Sequence, residues 1–142
     1  MKIKQVSESG EDLYLAFQRL VPQLTSNNPP PSRADLEALV RSESSVLFTA
    51  ESEDGQIIGA ACLTVYRVPT GLRAVIEDVV VDESARGQGV GEVLVRRALE
   101  AAQARGASGV TLTSNPRREA ANRLYRRMGF KLRETNAYVY KF

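Results

Sequence analysis

One stretch of the chain, residues 76–105, constrains the fold more than any other. It begins as an apolar run that ends in the valines 79–81, continues through a short loop with glycines at 87, 89 and 91, and ends in a long amphipathic segment. Glycine is costly for an ordered backbone, so three glycines at alternate positions indicate that side chains are excluded there. A glycine-bearing loop at the start of a helix is typical of an anion site, because the first helical turn presents unpaired N–H groups and the positive end of the helix dipole.

The segment after the loop has the spacing of a surface helix. Apolar positions recur every three or four residues, and charged positions lie opposite them. The mostly apolar stripe consists of Val90, Val93, Leu94, Arg97, Ala98, Ala101 and Ala102. Gly106 is a stop signal, so the pattern predicts a helix over residues 89–105.

Turn and capping signals divide the rest of the chain into short elements. Ser32, with Asp35 three residues later, is typical of a capping box that begins a helix, and the sequence 53–55 is typical of a hairpin turn. The other predicted helices cover residues 10–24, 32–40 and 118–128. The predicted strands cover residues 1–6, 45–52, 55–68, 72–82, 109–114, 130–135 and 137–142.

The order of these elements predicts the fold class. The three middle strands form an antiparallel meander, and the strand after the crossover helix 89–105 is parallel to its neighbour. We therefore expect an α/β protein of the α+β kind, with a mixed, mostly antiparallel sheet of six to seven strands and about four helices on its faces. The length of 142 residues suits a single domain, 1–142.

Composition excludes several classes of protein. There is no histidine, so we expect a carboxylate or water as proton acceptor and no metal site. The single cysteine, Cys62, lies inside a predicted strand and is expected to be a small buried side chain rather than a nucleophile. No apolar stretch approaches a membrane span, the N-terminal residues lack the centre of a signal peptide, and cytoplasmic location is the expectation.

Charge is divided unevenly along the chain. Residues 1–70 carry a net charge of −3 and residues 71–142 a net charge of +5. The glycine loop lies in the basic half, which suits an anionic ligand such as a phosphate. Basic segments without interleaved aromatic residues do not favour nucleic acid as a partner.

Three known phosphate loops can be compared with this one. A Walker A loop requires a lysine after its last glycine, and no lysine lies near. A dinucleotide fingerprint requires a third glycine where Glu92 stands, and an acidic residue at the end of the next strand, which here ends in 113–115. The third pattern begins with Gln or Arg, has Gly three residues later, and has Gly or Ala two residues after that. Residues 86–91 have a matching residue at each of these positions.

Residues 86–91 resemble the acyl-CoA loop of the GNAT N-acetyltransferase family. The segment "REAANRLYRRMGF" resembles the second signature of that family, with Ala121, Tyr125, Gly129 and Phe130 at its fixed positions. The order of elements from residue 1 to 142 is similar as well. The resemblance implies the GNAT fold, acetyl-CoA as the bound cofactor, and transfer of its acetyl group to an amine.

The resemblance also implies which residues hold the cofactor. The main chain of 79–81 (Val79, Val80 and Val81) would align the pantetheine arm, as a peptide adds to a sheet edge, and a bulge in that strand would free an N–H for the thioester carbonyl. The pyrophosphate would be held by the loop and helix start, namely Arg86, Gly87, Gln88, Gly89, Val90, Gly91 and Glu92. Family members often have an asparagine where this chain has Arg118. That departure leaves three candidates for a polar cofactor contact, which are Ser114, Asn115 and Asn122.

Two side chains are the candidates for proton transfer. Tyr125 matches the family tyrosine whose hydroxyl lies near the sulfur, so it is the expected general acid for the departing thiolate. Glu77 is the expected general base, acting directly or through water, because a partly buried carboxylate with a raised pKa accepts a proton more readily. Asp78 is the alternative base.

The acceptor is expected to be a primary amine on a small molecule or a peptide. Glu77, Asp78 and Tyr138 are the candidate substrate contacts, and the walls would come from residues 22–32, the turn around 66–73 and residues 134–140. Because Cys62 is not expected to react, direct transfer within a ternary complex, without an acetyl-enzyme, is the expected mechanism. The alternative is a non-catalytic acyl-CoA sensor or regulatory module. The last predicted strand offers an edge for a possible homodimer.

Overall fold

A four-stranded antiparallel sheet, in which the strands lie side by side in chain order, forms the centre of the protein. The computed structural model describes all residues from 1 to 142. The strands are β1 (Lys2–Gln5), β2 (Ser45–Glu51), β3 (Ile57–Val68) and β4 (Gly71–Val81). The helices are α1 (Glu11–Leu24), α2 (Arg33–Arg41), α3 (Val90–Ala104) and α4 (Glu119–Met128). The four helices and the antiparallel meander agree with the sequence prediction.

The prediction of six to seven strands is wrong. Residues 109–114 meet β4 at a single parallel bridge between Val75 and Thr111. Residues 131–142 form no strand and no backbone hydrogen bond. The parallel direction is as predicted, but alternating apolar residues indicate only a tendency to pair, and a strand also needs a partner edge within reach.

The helices cover the two faces of the sheet. On one face α3 buries a stripe against the larger core cluster, and on the other α1 and α2 bury theirs against the smaller cluster. The buried stripe of α3 consists of Val90, Leu94, Val95, Ala98 and Ala102. Val95 is fully buried and Val93 is 38% exposed, so the stripe is rotated from the predicted one. No helix combines the length and the hydrophobicity that crossing a bilayer requires.

The predicted capping box at the start of α2 is present. The backbone N–H of Asp35 donates to Ser32 Oγ at 3.0 Å, and the N–H of Ser32 donates to Asp35 Oδ2 at 3.0 Å. These two bonds satisfy N–H groups that the helix start would otherwise leave unpaired. The helix therefore begins where the sequence signal places it.

An ion pair fixes the point where β4 ends. Arg19 on α1 donates from Nε to Asp82 Oδ2 at 2.8 Å and from Nη2 to the carbonyl of Ile57. The other oxygen of Asp82 accepts from the N–H and the hydroxyl of Ser84, at 3.0 and 2.8 Å. These bonds, first that of Arg19 and then those of Ser84, lower the pKa of Asp82 to about 2. The exit of β4 is thereby tied to α1.

Replacing Asp82 with asparagine should destabilise the protein by about 1–3 kcal/mol at neutral pH, because Arg19 loses its charged partner. An unfolded aspartate has a pKa of about 3.9, and the folded value is lower. The stabilisation is therefore complete above that unfolded pKa and is lost as the pH falls toward 2. Urea unfolding of the wild type and of Asp82→Asn should differ at pH 7, and the difference should shrink as the pH falls from about 4 toward 2.

The control is Glu8→Gln, which removes one exposed carboxylate that forms no ion pair. Its effect should stay within about 0.5 kcal/mol. An Asp82→Asn variant as stable as Glu8→Gln at pH 7 would contradict the role of the ion pair.

Candidate functional site

Two joined cavities lie where β4 parts from the segment 109–114. The N–H of Ile76 donates to the carbonyl of Thr111, and the N–H of Thr111 donates to the carbonyl of Ala74, both at 3.0 Å. Beyond this point β4 and the segment 109–114 separate, and a cavity of about 120 Å³ occupies the gap between them. A larger cavity of about 760 Å³ lies between the glycine loop and α4. The residues that line both cavities are Leu24, Val79, Arg118 and Tyr125.

The glycine loop shapes one wall of the larger cavity. Gly87 and Gly89 have φ angles of +77° and +80°, a conformation that side chains rarely adopt. Gly89 is the N-cap of α3 and supplies no side-chain hydrogen bond to the first turn. The backbone N–H groups of residues 87–92 consequently have no acceptor within the protein. This run of free donors at a helix start can bind an anion.

Arginines line the larger cavity from both sides, because Arg86 lies at the start of the loop and the other four lie in α4 or just before it. The lining includes five guanidinium groups, those of Arg86, Arg117, Arg118, Arg123 and Arg127, against two carboxylates, Glu92 and Glu119. Arg86 donates from Nε to the carbonyl of Val81 at 3.2 Å, which holds its side chain along the end of β4. The excess of positive charge suits a ligand with several phosphate groups.

A bulge in β4 lies between the two cavities. Ala60 of β3 is opposite Val80, and Cys62 is opposite Glu77, so the single residue between them faces two residues of β4. Asp78, in the bulge, has a φ of +51° and is the only non-glycine residue with positive φ. A bulge bends its strand and interrupts the hydrogen-bond ladder. The bulge therefore turns β4 away from the segment 109–114 at the place where the smaller cavity opens.

The end of α4 orients Tyr125. Gly129 has a φ of +102° and ends the helix in the left-handed conformation, so that the N–H of Phe130 donates to the carbonyl of Tyr125 at 3.0 Å. The Phe130 ring then meets the Tyr125 ring edge to face, with centroids 5.7 Å apart. Tyr125 is 6% exposed, and its hydroxyl makes no hydrogen bond to the protein. The Gly-Phe pair of the motif thus fixes the ring while the hydroxyl remains available.

Three titratable groups near the bulge have shifted pKa values. Burial, and then the charge of Asp78, raise the pKa of Glu77. Burial raises the pKa of Tyr125, and the nearby Arg118 opposes this. Burial, followed by the charges of Asp78 and Glu77, raises the pKa of Cys62 to about 11. At neutral pH the tyrosine and the thiol stay protonated, and the carboxylate is a stronger base than an exposed one.

The structure brings most of the predicted site residues together. Tyr125 lines both cavities, and Glu77 and Asp78 line the smaller one with it. The predicted cofactor residues that line the larger cavity are Val79, Val80, Val81, Arg86, Gly87, Gly89, Val90, Gly91, Glu92 and Tyr125. Gln88 lies in the loop with its side chain exposed and is not part of the lining.

The three predicted polar candidates after the strand lie outside the cavities. Asn122 donates from Nδ2 to the carbonyls of Asn115 and Arg118, at 3.0 and 2.9 Å. Asn115 Oδ1 accepts from the N–H of Arg117 at 2.9 Å. These amides hold the turn that leads into α4. The hydroxyl of Ser114 is buried and has no hydrogen-bond partner.

The structure does not place Tyr138 in the site. Its side chain is 90% exposed and lines neither cavity. The prediction assumed a terminal hairpin folded over the site, and in this protein residues 131–142 do not pair with the sheet. Tyr138 therefore has no contact with the cavities of its own chain.

The helical walls of the larger cavity were predicted only in part, because residues 22–32 were expected at the acceptor site and none of the arginines after Arg86 was assigned to the cofactor. Gln23 and Leu24 at the end of α1, and the arginines of α4 and of the turn before it, line that cavity. The excess positive charge of residues 71–142 was a signal for the arginines. Gln23 lies within the predicted wall 22–32 but lines the larger cavity, and its Oε1 accepts from the N–H of Glu83 at 2.8 Å. No cluster of three or more potential metal ligands is present.

Comparison with known proteins identifies the class. The profile of the Acetyltransferase (GNAT) family matches residues 12–130. The chain is 34% identical over 139 residues to a probable glucosamine 6-phosphate N-acetyltransferase of Oryza sativa subsp. japonica, covering 94% of this chain and 81% of that protein. It is 31% identical over 139 residues to streptothricin acetyltransferase of Streptomyces lavendulae, covering 96% and 72%.

A solved structure supports the same assignment. A Trypanosoma brucei acetyltransferase superposes with a TM-score of 0.79 at 26% identity, over 99% of each chain. An acetyl-transferring enzyme is the class that this fold and the paired cavities define. The chain belongs to the GNAT acetyltransferase family, whose members use acetyl-CoA. Membership favours an enzyme over the acyl-CoA sensor that the sequence alone left open.

Replacing Gly89 with alanine should weaken coenzyme A binding roughly tenfold or more, because the added methyl group and the strained φ of +80° would move the loop N–H groups and a bound phosphate apart. A side chain at positive φ also costs about 1–2 kcal/mol of stability. Isothermal titration calorimetry with coenzyme A and thermal unfolding measure the two effects.

Gly55→Ala is the matched control. Gly55 has a φ of +83°, and, as at Gly89, an added Cβ meets nothing within 4 Å, but it lies in the hairpin between β2 and β3. Both variants should lose similar stability, and only Gly89→Ala should lose affinity. Equal affinity in the two variants would contradict an anion site at the loop.

Proposed function

We propose that the protein transfers the acetyl group of acetyl-CoA directly to a primary amine, within a ternary complex. The observation that carries this proposal is the position of Tyr125 and Val79, which line both an arginine-lined cavity and a carboxylate-bearing one. A reaction between a polyanionic donor and a basic acceptor requires its reacting atoms to meet at such a junction.

The larger cavity is proposed to hold the donor. The free N–H groups of residues 87–92 and the guanidinium of Arg86 would bind its pyrophosphate. The arginines of α4 supply further positive charge for its remaining phosphate. The main chain at Val79 and Val81, which line the larger cavity, would align the pantetheine amides. Because Arg118 donates to the carbonyl of Val79 at 3.4 Å, its side chain would move when that carbonyl accepts from the donor.

The site residues then perform the proton transfers. Acetyl-CoA, when bound, supplies an activated acetyl group on a thioester whose sulfur leaves as the new C–N bond forms. Glu77 accepts the proton of the amine, directly or through one water, and its raised pKa makes it a better base. A backbone N–H at the bulge near Asp78 donates to the carbonyl oxygen as negative charge develops there. Tyr125 donates its proton to the departing sulfur.

The acceptor is proposed to be a small or peptidic amine that enters the smaller cavity. Glu77 and Asp78 line this cavity and would attract a protonated amine before it loses its proton. The similar rice protein is named for an amino sugar phosphate, and the similar Streptomyces protein for an antibiotic. Both names fit a small polar amine as the acceptor class of this chain.

Direct transfer is favoured over an acetyl-enzyme. Cys62 is the only cysteine, and its pKa of about 11 leaves almost no thiolate at neutral pH. It lines neither cavity. The chain therefore offers no thiol nucleophile at the junction of the two cavities.

A panel of primary amines with acetyl-CoA tests the proposed function. Free thiol release should exceed background hydrolysis with at least one amine, and initial rates should show intersecting rather than parallel double-reciprocal lines. The panel should include amino sugars, amino sugar phosphates, aminoglycosides and lysine peptides. Tight coenzyme A binding without release from any amine would overturn the proposal and favour the sensor.

With an active amine, the two proton-transfer residues should give different signatures. Tyr125→Phe should lower kcat about 10²- to 10⁴-fold with coenzyme A affinity nearly unchanged. Glu77→Gln should lower kcat/KM and abolish its rise through the pKa of Glu77, because only the ionised carboxylate accepts a proton. Steady-state kinetics between pH 5 and 10 measure both effects.

Two variants serve as controls for these effects. Tyr14→Phe removes a hydroxyl that lines neither cavity, and Asp78→Asn changes the neighbouring carboxylate. A normal rate in Tyr125→Phe would overturn the acid role. If kcat/KM of Glu77→Gln still rises with pH, and that of Asp78→Asn no longer does, Asp78 rather than Glu77 is the base.

A further inference from the structure

Arg118 is the only charged residue among those that line both cavities. Its main chain is fixed just before α4. The N–H of Arg118 donates to the carbonyl of Asn115 at 3.0 Å, and its carbonyl accepts from the N–H and the Nδ2 of Asn122 at 3.0 and 2.9 Å. The side chain therefore extends from a fixed base to the junction of the two cavities.

The guanidinium of Arg118 is weakly held where it lies. Its Nη2 donates to the carbonyl of Val79 at 3.4 Å, beyond the usual range of about 2.7–3.2 Å. This is the only hydrogen bond that the side chain makes, although a guanidinium carries several N–H donors. No carboxylate forms an ion pair with Arg118. Most of its donors are therefore available to a group that enters the junction.

The charge of Arg118 already acts on the hydroxyl of Tyr125. Burial raises the pKa of that phenol, and Arg118 opposes the rise because a positive charge favours the ionised form. The same charge would favour any anion that forms beside the hydroxyl. In the proposed reaction the atom that gains negative charge there is the sulfur of the donor.

We propose that Arg118 is a catalytic residue that stabilises the departing sulfur of coenzyme A as a thiolate. The inference rests on the proposed function. When the pantetheine arm takes the carbonyl of Val79, the guanidinium is released and donates to the sulfur instead. The bound donor also covers the guanidinium from water, which strengthens its attraction to an anion.

The bonds and protons of this step balance. The amine nitrogen forms a bond to the acetyl carbon, the C–S bond breaks, and the electron pair of that bond stays on sulfur. The guanidinium of Arg118 donates to the thiolate until Tyr125 transfers its proton to it. Glu77 takes the proton of the amine and later releases it to water, from which the phenolate of Tyr125 takes one back.

The other charges around the junction do not supply this role. Glu77 and Asp78 line the smaller cavity and would oppose a further negative charge beside them. Arg123 and Arg127 line only the larger cavity, where the phosphates are proposed to bind. Arg118 is therefore the cation that a charge forming at the junction would meet.

The acidity of the bound thiol tests this role without an acceptor. Each variant is saturated with coenzyme A, and the thiolate is followed by its ultraviolet absorbance during a pH titration. The same titration with desulfo-coenzyme A is subtracted to remove the signals of the tyrosines and of Cys62. The acid dissociation constant of the thiol should be roughly tenfold or more larger in the wild type than in Arg118→Gln. Arg118→Lys, which keeps the charge, should recover part of the difference.

Arg123→Gln is the matched control, because it removes a guanidinium that lines only the larger cavity. It should weaken coenzyme A binding, measured by calorimetry, and leave the acidity of the bound thiol unchanged. Circular dichroism should show that all variants keep the fold. Unchanged acidity in Arg118→Gln, or an equal change in both variants, would overturn the role at the sulfur.

Tyr125→Phe separates a direct effect on the sulfur from an effect through the phenol. The difference between Arg118 and Arg118→Gln should persist in that background, and its disappearance would overturn the direct contact. Turnover in the amine panel with unchanged thiol acidity would overturn this inference and leave the proposed function standing. A shifted acidity without turnover of any amine would overturn the proposed function, and the catalytic role with it.

Discussion

The ion pair between Arg19 and Asp82 holds the end of β4 against α1, and the geometry of both cavities depends on that attachment. Asp82 stands between the valines of β4 and the glycine loop, so its position sets where the loop begins. The adjacent bond from the N–H of Glu83 to Gln23 brings the end of α1 into the cavity wall. A carboxylate that accepts one bond from Arg19 on one oxygen and two from Ser84 on the other is costly to move. The C-terminal end of β4 is therefore held in place where the acetyl donor would be aligned.

The bulge at Asp78 completes the arrangement from the other side. An extra residue in β4 bends the strand away from the segment 109–114, and the gap becomes the smaller cavity. The larger cavity has five arginines and two carboxylates in its lining, and the smaller cavity has two carboxylates and one arginine. This difference in charge suits an anionic group in the larger cavity and a cationic group in the smaller one. Tyr125 lies where the two cavities meet.

Helix starts and ends that depend on nearby residues were predicted correctly from the sequence, and strands that depend on a distant partner segment were not. The capping box at Ser32, the stop near Gly106 and the motif around Tyr125 each depend on residues within one or two helical turns. The strands predicted over 130–135 and 137–142 depend on a partner that periodicity does not specify. For the same reason Tyr138 could be assigned to a site that it does not touch. Asn122 also shows this limit, because its amide is used by the turn before α4.

The local backbone geometry of the glycine loop and of the tyrosine motif could be predicted from the sequence alone. A glycine at positive φ and a Gly-Phe helix end are local requirements, so the residue types at 86–91 and 125–130 were sufficient to indicate them. Only the tertiary structure decided that Glu77 and Tyr125 line one cavity and that arginines of α4 face the loop. It alone also showed that residues 131–142 leave the sheet. These outcomes depend on how β4 bends and on which edge each segment reaches, and both are set by packing between parts of the chain that are far apart in sequence.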